Sequence, residues 1–302
     1  ICLLTGPLEV GQMAHIAREM NLSETAFVYP LPEKGNEDSD VSPTFKSTSR
    51  FKLRWFTPTN EVALCGHATL ATAHVLYQEL GVAVPAITFD TLSGDLVVIK
   101  GPEFHLDGGL CMDFPRGKPE RTDIPRRNWE ALLAAMQLKE EDVVYESPVE
   151  GKGELCPVVR ICRITKKLLI ELASVDKVKQ ITPNQDALLK IDFPSEIPVR
   201  GVMVTTRGGR AYGDLPLGSE FQEFDFVSRY FSPWNGIGED PVTGSAHTAL
   251  SVYWAEKLGR TEFRALQASA RGGVLGVRLT EGGRVVLQGS AVTVMGGRLR
   301  AI

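Results

Sequence analysis

Several features that would assign a function class at once are missing from this chain. No apolar run approaches the ~18 residues that a membrane-spanning helix needs. There is no basic surplus: Lys and Arg total 33 against 37 Asp and Glu, for a net charge of −4. That balance excludes a general nucleic-acid or anionic-membrane surface. The five cysteines (Cys2, Cys65, Cys111, Cys156 and Cys162) are odd in number and include no C-x-x-C pair. Neither a disulfide framework nor a zinc site fits them, and a reducing cytoplasmic setting is the simpler expectation. No Gly-rich phosphate loop is visible, because the Gly208-Gly209 pair lacks a strand before it and a helix after it. The opening Ile-Cys-Leu-Leu-Thr-Gly has no initiator Met, basic segment or cleavage site. It reads as a chain that begins inside a strand, with its natural N-terminus further upstream.

What is present is the material of a folded protein. Hydrophobic residues make up 43% of 302, enough for a real core and about two domains. Met13, Ile16, Ala17 and Met20 recur at helical spacing over 12–20. Short apolar runs at Thr25–Tyr29 and Phe51–Phe56 predict strands on either side of a polar loop from Glu33 to Ser49. A helix follows over 66–80, closed by Gly81. Ala86–Phe89 and Leu96–Ile99 form a predicted hairpin around Ser93-Gly94. The charged, Pro-bearing segment Arg116–Arg127 reads as a linker, and Asn128–Leu138 as a helix. Further strands are expected near 156–162, 168–172, 201–205 and 224–231. A helix is expected over 244–258, then Gly-punctuated strands at 274–279, 284–288 and 291–299.

One pattern occurs twice. Residues 51–68 read F-K-L-R-W-F-T-P-T-N, then E-V-A-L-C-G-H-A; residues 226–246 read F-V-S-R-Y-F-S-P-W-N, then G-I-G, then E-D-P-V-T-G-S-A. Phe51/Phe226, Arg54/Arg229, Phe56/Phe231, Pro58/Pro233, Asn60/Asn235, Glu61/Glu239, Gly66/Gly244 and Ala68/Ala246 are identical. The repeated unit is strand, turn, acidic residue, glycine, helix. It predicts two similar domains whose helix N-termini face a shared cleft. Such N-termini carry unpaired N–H groups and partial positive charge, and Gly66 and Gly244 let a ligand approach the backbone closely. A small carboxylate would suit them; the plainer reading is two tight turns.

The same residues carry a resemblance. R-W-F-T-P-x-x-E-V-x-L-C-G-H-A-T-L-A, G-E-D-P-V-T-G-S-A-H and R-E-M-N-L-S-E-T-A-F at 18–27 resemble the signatures of the PhzF-like family of phenazine-biosynthesis isomerases. The similarity is greatest to its animal branch, the phenazine biosynthesis-like domain-containing proteins. The resemblance runs through nearly the whole chain; the family's opening strand and G-N-P segment would precede Ile1. It implies an α+β fold of two similar domains, each a curled, mainly antiparallel sheet around a central helix, as in diaminopimelate epimerase. On that basis residues 1–115 plus a C-terminal strand at about 290–302 form the first domain, and 116–289 the second.

The resemblance also implies a chemistry. Glu24 of N-L-S-E matches the family's acid/base, where the bare sequence suggests only an exposed carboxylate. His67 and Asp240 map onto supporting catalytic groups, and Gly66, Gly244 and Ser245 onto ligand-contacting positions. The expected activity is a cofactor-free isomerisation of a small carboxylate. Glu24 would move a proton between carbons if a dry cleft raises its pKa. His67 would donate, Asp240 would hold an amine or orient His67, and Ser245 would bind ligand or cap its helix. A homodimer is implied, with no metal, nucleic-acid or membrane partner.

Other residues read as structural. His247 and His74 lie inside helices as packing or surface groups, and His15 and His105 belong to no constellation. Glu61 and Glu239 either cap the next helix or pair with Arg54 and Arg229. The epimerase's opposed thiols would fall at Cys65 and Thr243, and threonine cannot act as a thiolate base. Two other readings stand beside the isomerase: a binding or interaction protein that keeps the fold without turnover, and a racemase using Cys65 with Glu24.

Overall fold

Alternation along Arg50–Phe56 sets the first sheet: Phe51, Leu53 and Trp55 are fully buried on one face, while Lys52 and Arg54 point to the other. The computed structural model describes residues 1–35, 43–101, 109–147, 155–209 and 221–299. It divides into two units, Ile1–Asp113 with Gln288–Ile302, and Phe114–Leu287.

In the first unit, Arg50–Phe56 runs antiparallel to Thr25–Pro30 and parallel to Ala86–Thr91. Ala86–Thr91 turns back into Gly94–Lys100 through Gly94, whose φ of 90° is natural to glycine. Cys2–Leu3 joins Thr25–Pro30 in parallel, and Leu110–Pro115 pairs with Gly94–Lys100. Helix Val10–Met20 lays Met13 and Ala17 against Phe27 and Phe56, and ends at left-handed Asn21. On the opposite face the Gly66–His74 helix packs on Thr25–Pro30. Its buried threonines are satisfied within the helix: Thr69 Oγ1 donates to the Cys65 carbonyl and Thr72 Oγ1 to that of Ala68. The helix expected to run unbroken to residue 80 instead widens into a π turn over Val75–Glu79.

The second unit repeats this order of strand orientations. Lys167–Glu171 is parallel to Gly201–Arg207, which is antiparallel to Phe226–Phe231. That strand is parallel to Glu262–Gln267, which is antiparallel to Gly273–Thr280. The duplication therefore reaches across each sheet and not only the repeated motif. The Gly244–Leu258 helix is buried on nearly all sides, with Trp254 stacked 5.8 Å from Phe226. Helices Arg126–Met136, Val175–Gln180 and Gln185–Leu189 cover the other face around Leu132, Met136, Ile161, Ile170 and Val204.

Two expectations are corrected. The segment Arg116–Arg127 is no linker: Pro119–Arg121 pairs antiparallel with Val159–Cys162, and a helix begins at Arg126. Its charges serve that edge, where Arg121 meets Glu146 at 3.0 Å. Residues 290–299 form no strand; Val292, Val294 and Met295 stand exposed along them. Residues 300–302 and His105 lie outside the described residues. Strand Glu262–Gln267 and helices Val175–Gln180 and Gln185–Leu189 lacked a clear sequence signal, being short or poorly alternating.

One contact recurs in both units. Arg54 Nε and Nη2 each donate to Glu61 at 2.7 Å, and Arg229 donates to Glu239 at 2.6 and 2.8 Å. Each guanidinium also lies over a repeated phenylalanine, 5.4 Å from the Phe56 ring centre and 5.0 Å from that of Phe231. Of the two readings of Glu61 and Glu239, pairing is the one observed. Arg229 does more than Arg54, since its Nη1 donates to the carbonyls of Val178, Lys179 and Ile181 at 3.2, 2.8 and 2.8 Å. These close the C-terminal end of the Val175–Gln180 helix. Arg229→Met is therefore expected to cost roughly 3–5 kcal/mol in urea unfolding, and Arg54→Met roughly 1–3 kcal/mol. Equal losses would show that the three carbonyl contacts contribute nothing.

Candidate active site

Glu24 lies four residues beyond the end of the first helix and immediately before strand Thr25–Pro30. The default expectation for such a position is an exposed carboxylate. Instead its side chain is only 8% exposed, with Oε2 3.0 Å from His67 Nε2. His67 occupies the second position of the Gly66–His74 helix, and Cys65 is that helix's N-cap residue. The strand and the helix pack on each other, which is how residues 43 positions apart come to meet. Cys65 Sγ lies 3.7 and 3.8 Å from the two His67 ring nitrogens.

The electrostatics of this cluster follow from its contents. Burial alone would raise Glu24, but hydrogen bonding and charge from His67, with help from Ser23, hold it below the usual carboxylate range. Burial would lower His67, yet its contacts to Cys65 and Glu24 raise it well above the ordinary histidine range. Cys65 is raised, chiefly by burial and further by the Glu24 charge, and stays a neutral thiol. With the thiol neutral, the Glu24 carboxylate is the charge that holds the imidazolium. The expected upward shift of Glu24 is thus corrected: its neighbour is a cation, and a cation favours the ionised acid.

The second unit gathers its own polar group. Thr243 is the N-cap residue of the Gly244–Leu258 helix, and its Oγ1 donates to Asp240 Oδ2 at 2.7 Å. Gln267, 1% exposed, accepts from the Thr243 N–H at 2.7 Å and donates to the Asp240 carbonyl at 2.6 Å. Ser245 lies one residue inside the helix and does not cap it; Thr243 holds that place, without a side-chain cap bond. His247 is fully buried, stacks on Phe226 and donates Nδ1–H to the Thr243 carbonyl at 2.8 Å. Burial pushes it down to about 4. It is a neutral packing group, as its place inside a helix suggests.

The structure thus groups Glu24, Gly66 and His67 in one unit, and Asp240, Gly244 and Ser245 in the other. Sequence reasoning missed Gln267 and Lys167. Lys167 is 8% exposed with Nζ 5.1 Å from the Tyr230 ring centre. Burial pushes it down to about 8, against opposing pulls from Cys162 and Asp240. A lysine opening the apolar run K-L-L-I-E was the available signal. The sequence also suggested no metal-ligand cluster, whereas single donor atoms from Glu24, Cys65 and His67 lie within 4.8 Å of one another.

The stabilisation from Glu24 is present above the ordinary carboxylate pKa and is lost as pH falls through its lowered value. That from His67 is present below the ordinary histidine pKa and is lost as pH rises through its raised value. The ring is expected to remain protonated at pH 8 by heteronuclear NMR, and Glu24→Gln is expected to lower its pKa. A neutral wild-type ring at pH 8 would refute the pair.

Comparison with known proteins bears on the same residues. The model of the PhzC-PhzF family, phenazine biosynthesis-like protein, matches residues 1–297. A phenazine biosynthesis-like domain-containing protein of Bos taurus is 38% identical over 304 residues, covering 100% of this chain and 92% of the relative. A Halalkalibacterium halodurans protein named an uncharacterized isomerase is 38% identical over 300 residues, covering 99% and 91%. The crystal structure of an Enterococcus faecalis PhzF-family protein superposes with a TM-score of 0.71 at 33% identity, covering 95% of this chain and 86% of that one. That of a Clostridium difficile PhzC/PhzF protein gives 0.72 at 31%, covering 99% and 91%. With motifs, fold and whole-length similarity in agreement, this chain belongs to the PhzC-PhzF family of phenazine biosynthesis-like proteins.

Proposed function

We propose that this chain is a cofactor-independent isomerase of a small carboxylate, with Glu24 and His67 as its proton-transfer pair. The observation that carries the reading is a carboxylate side chain only 8% exposed, its oxygen 3.0 Å from the imidazole nitrogen of a protonated His67 that keeps it ionised. Such an oxygen can take a proton from a carbon next to an unsaturated system and return it at another carbon of the same substrate. His67, protonated and 28% exposed, donates to the developing negative charge.

Gly66 opens its helix, and the partial positive charge of that N-terminus suits the substrate carboxylate. Gly244, Ser245 and Asp240 of the second unit keep in this reading the roles that the family resemblance implies, ligand contact at the helix start and a supporting polar group. In this reading Glu24, with Oε2 3.0 Å from His67 Nε2, orients the imidazole. The relative named an isomerase supports the class of reaction.

Cys65 has no part in this mechanism. Its thiol is neutral, and the matching position in the repeat, Thr243, is committed to Asp240, so an opposed-thiol racemase is not supported. The non-catalytic reading is also weaker, because Glu24 and His67 retain a reactive geometry. A homodimer is proposed on the resemblance alone and is checked by sedimentation velocity.

Deuterium incorporation from heavy water into a panel of small unsaturated and amino carboxylates tests the proposal. Wild type is expected to exchange at least one of them, and Glu24→Gln to lose roughly 10²–10⁴-fold in rate. Equal exchange by both would remove Glu24 from the mechanism. Binding without exchange in either would leave the non-catalytic reading standing.

A further inference from the structure

Thiol, imidazole and carboxylate are the three donor types of protein zinc chemistry, and here they converge from a strand entry and a helix N-terminus. In a tetrahedral zinc site, bonds of ~2.3 Å to sulfur and ~2.0–2.2 Å to nitrogen and oxygen place S···N neighbours about 3.6 Å apart and N···O neighbours about 3.4 Å apart. The corresponding separations are 3.7–3.8 Å for Cys65 to His67 and 3.0 Å for His67 to Glu24. All three donor atoms fall within 4.8 Å of one another. For these two pairs shifts of a few tenths of an ångström reach coordination distances, and closing of the Cys65 and Glu24 side chains toward each other completes the set. The donor set also selects the ion: a thiolate disfavours magnesium and calcium, which take oxygen ligands, and three mixed S/N/O ligands with a fourth position open suit zinc. Entry is available past His67, which is 28% exposed, although Cys65 and Glu24 are buried.

We propose that Glu24, Cys65 and His67 form a binding site for one zinc ion, and that its occupancy shuts off the proton-transfer pair. The ion takes the Glu24 oxygen that would accept the substrate proton and the ring nitrogen of His67. Cys65 enters as thiolate and His67 as neutral imidazole, so two protons pass to solvent for each ion bound. Under this proposal the thiol makes the otherwise metal-independent site responsive to zinc. Binding rests on the cluster geometry alone, whereas inhibition rests on Glu24 and His67 being the catalytic pair.

Competition with a chromogenic zinc chelator at pH 7.5, on the full chain, measures binding. Wild type is expected to take up one equivalent, and X-ray absorption to show one sulfur among nitrogen and oxygen neighbours. Cys65→Ala and His67→Ala are expected to bind at least tenfold more weakly, while Cys2→Ala and Cys156→Ala bind as wild type. Circular dichroism establishes that each variant is folded, and the two cluster variants serve as replacements for each other if one is not. Absence of uptake by wild type, two sulfurs in its zinc shell, or undiminished uptake by folded Cys65→Ala would each overturn the site. In the exchange assay, zinc is expected to inhibit wild type reversibly with EDTA and to leave Cys65→Ala active. Undiminished exchange by the zinc-loaded protein would overturn the switch. Failure of the isomerase reading shows separately, as no exchange by the metal-free protein whatever its zinc affinity.

Discussion

The bidentate arginine–glutamate pair made once in each unit is the constraint on which the rest of the structure leans. Arg54 and Arg229 rise from the central strands of their sheets and grip Glu61 and Glu239, which lie in the segments leading to the two central helices. A loop tied to a sheet at one point has far fewer ways to deliver its helix than a free one. The grip fixes where Gly66 and Gly244 begin their helices. With Gly66 fixed, His67 is presented at the same depth as Glu24 at the mouth of the neighbouring strand. Polar chemistry at the site thus depends on a polar contact that takes no part in it.

The sequence made the repeat, the two glycine-led helices and most strands visible, because each has a local signature. Phe51, Leu53 and Trp55 alternate with charged residues, and an inside and an outside follow directly. The proximity of Glu24 to His67 has no such signature, since it arises when a helix and a strand distant in sequence pack together. Only the resemblance to a family singled Glu24 out. Composition misled at Arg116–Arg127, where proline and charge belong to an edge strand. Apolar alternation misled at 291–299, where residues of strand type are laid down without a ladder. Gln267 and Lys167 escaped notice because a buried polar side chain is recognised by its partners, and those are tertiary.

The two repeats have kept one scaffold and divided their tasks. At the N-cap the first has Cys65, a neutral thiol against an imidazolium; the second has Thr243, whose hydroxyl is held by Asp240 while Gln267 secures its backbone. The first arrangement holds an ion pair beside a thiol. The second spends its polar groups on holding a loop in place. Similar helices on similar sheets therefore present unlike polar groups at their N-termini, a charged pair in the first unit and a hydrogen-bonded loop in the second.

His247 gives the second unit a particular weakness. Fully buried and neutral, it takes up a proton only near pH 4, whereas an exposed histidine does so near 6.5. Between those values the unfolded chain binds a proton that the folded chain refuses, so acidification works against the fold by about 3 kcal/mol at its limit. Across the same interval His67 keeps its charge, and the imidazolium beside Glu24 opposes protonation of that carboxylate. Mild acid therefore acts unevenly on this protein, drawing first on the core of the second unit, where a histidine must be charged for the chain to open.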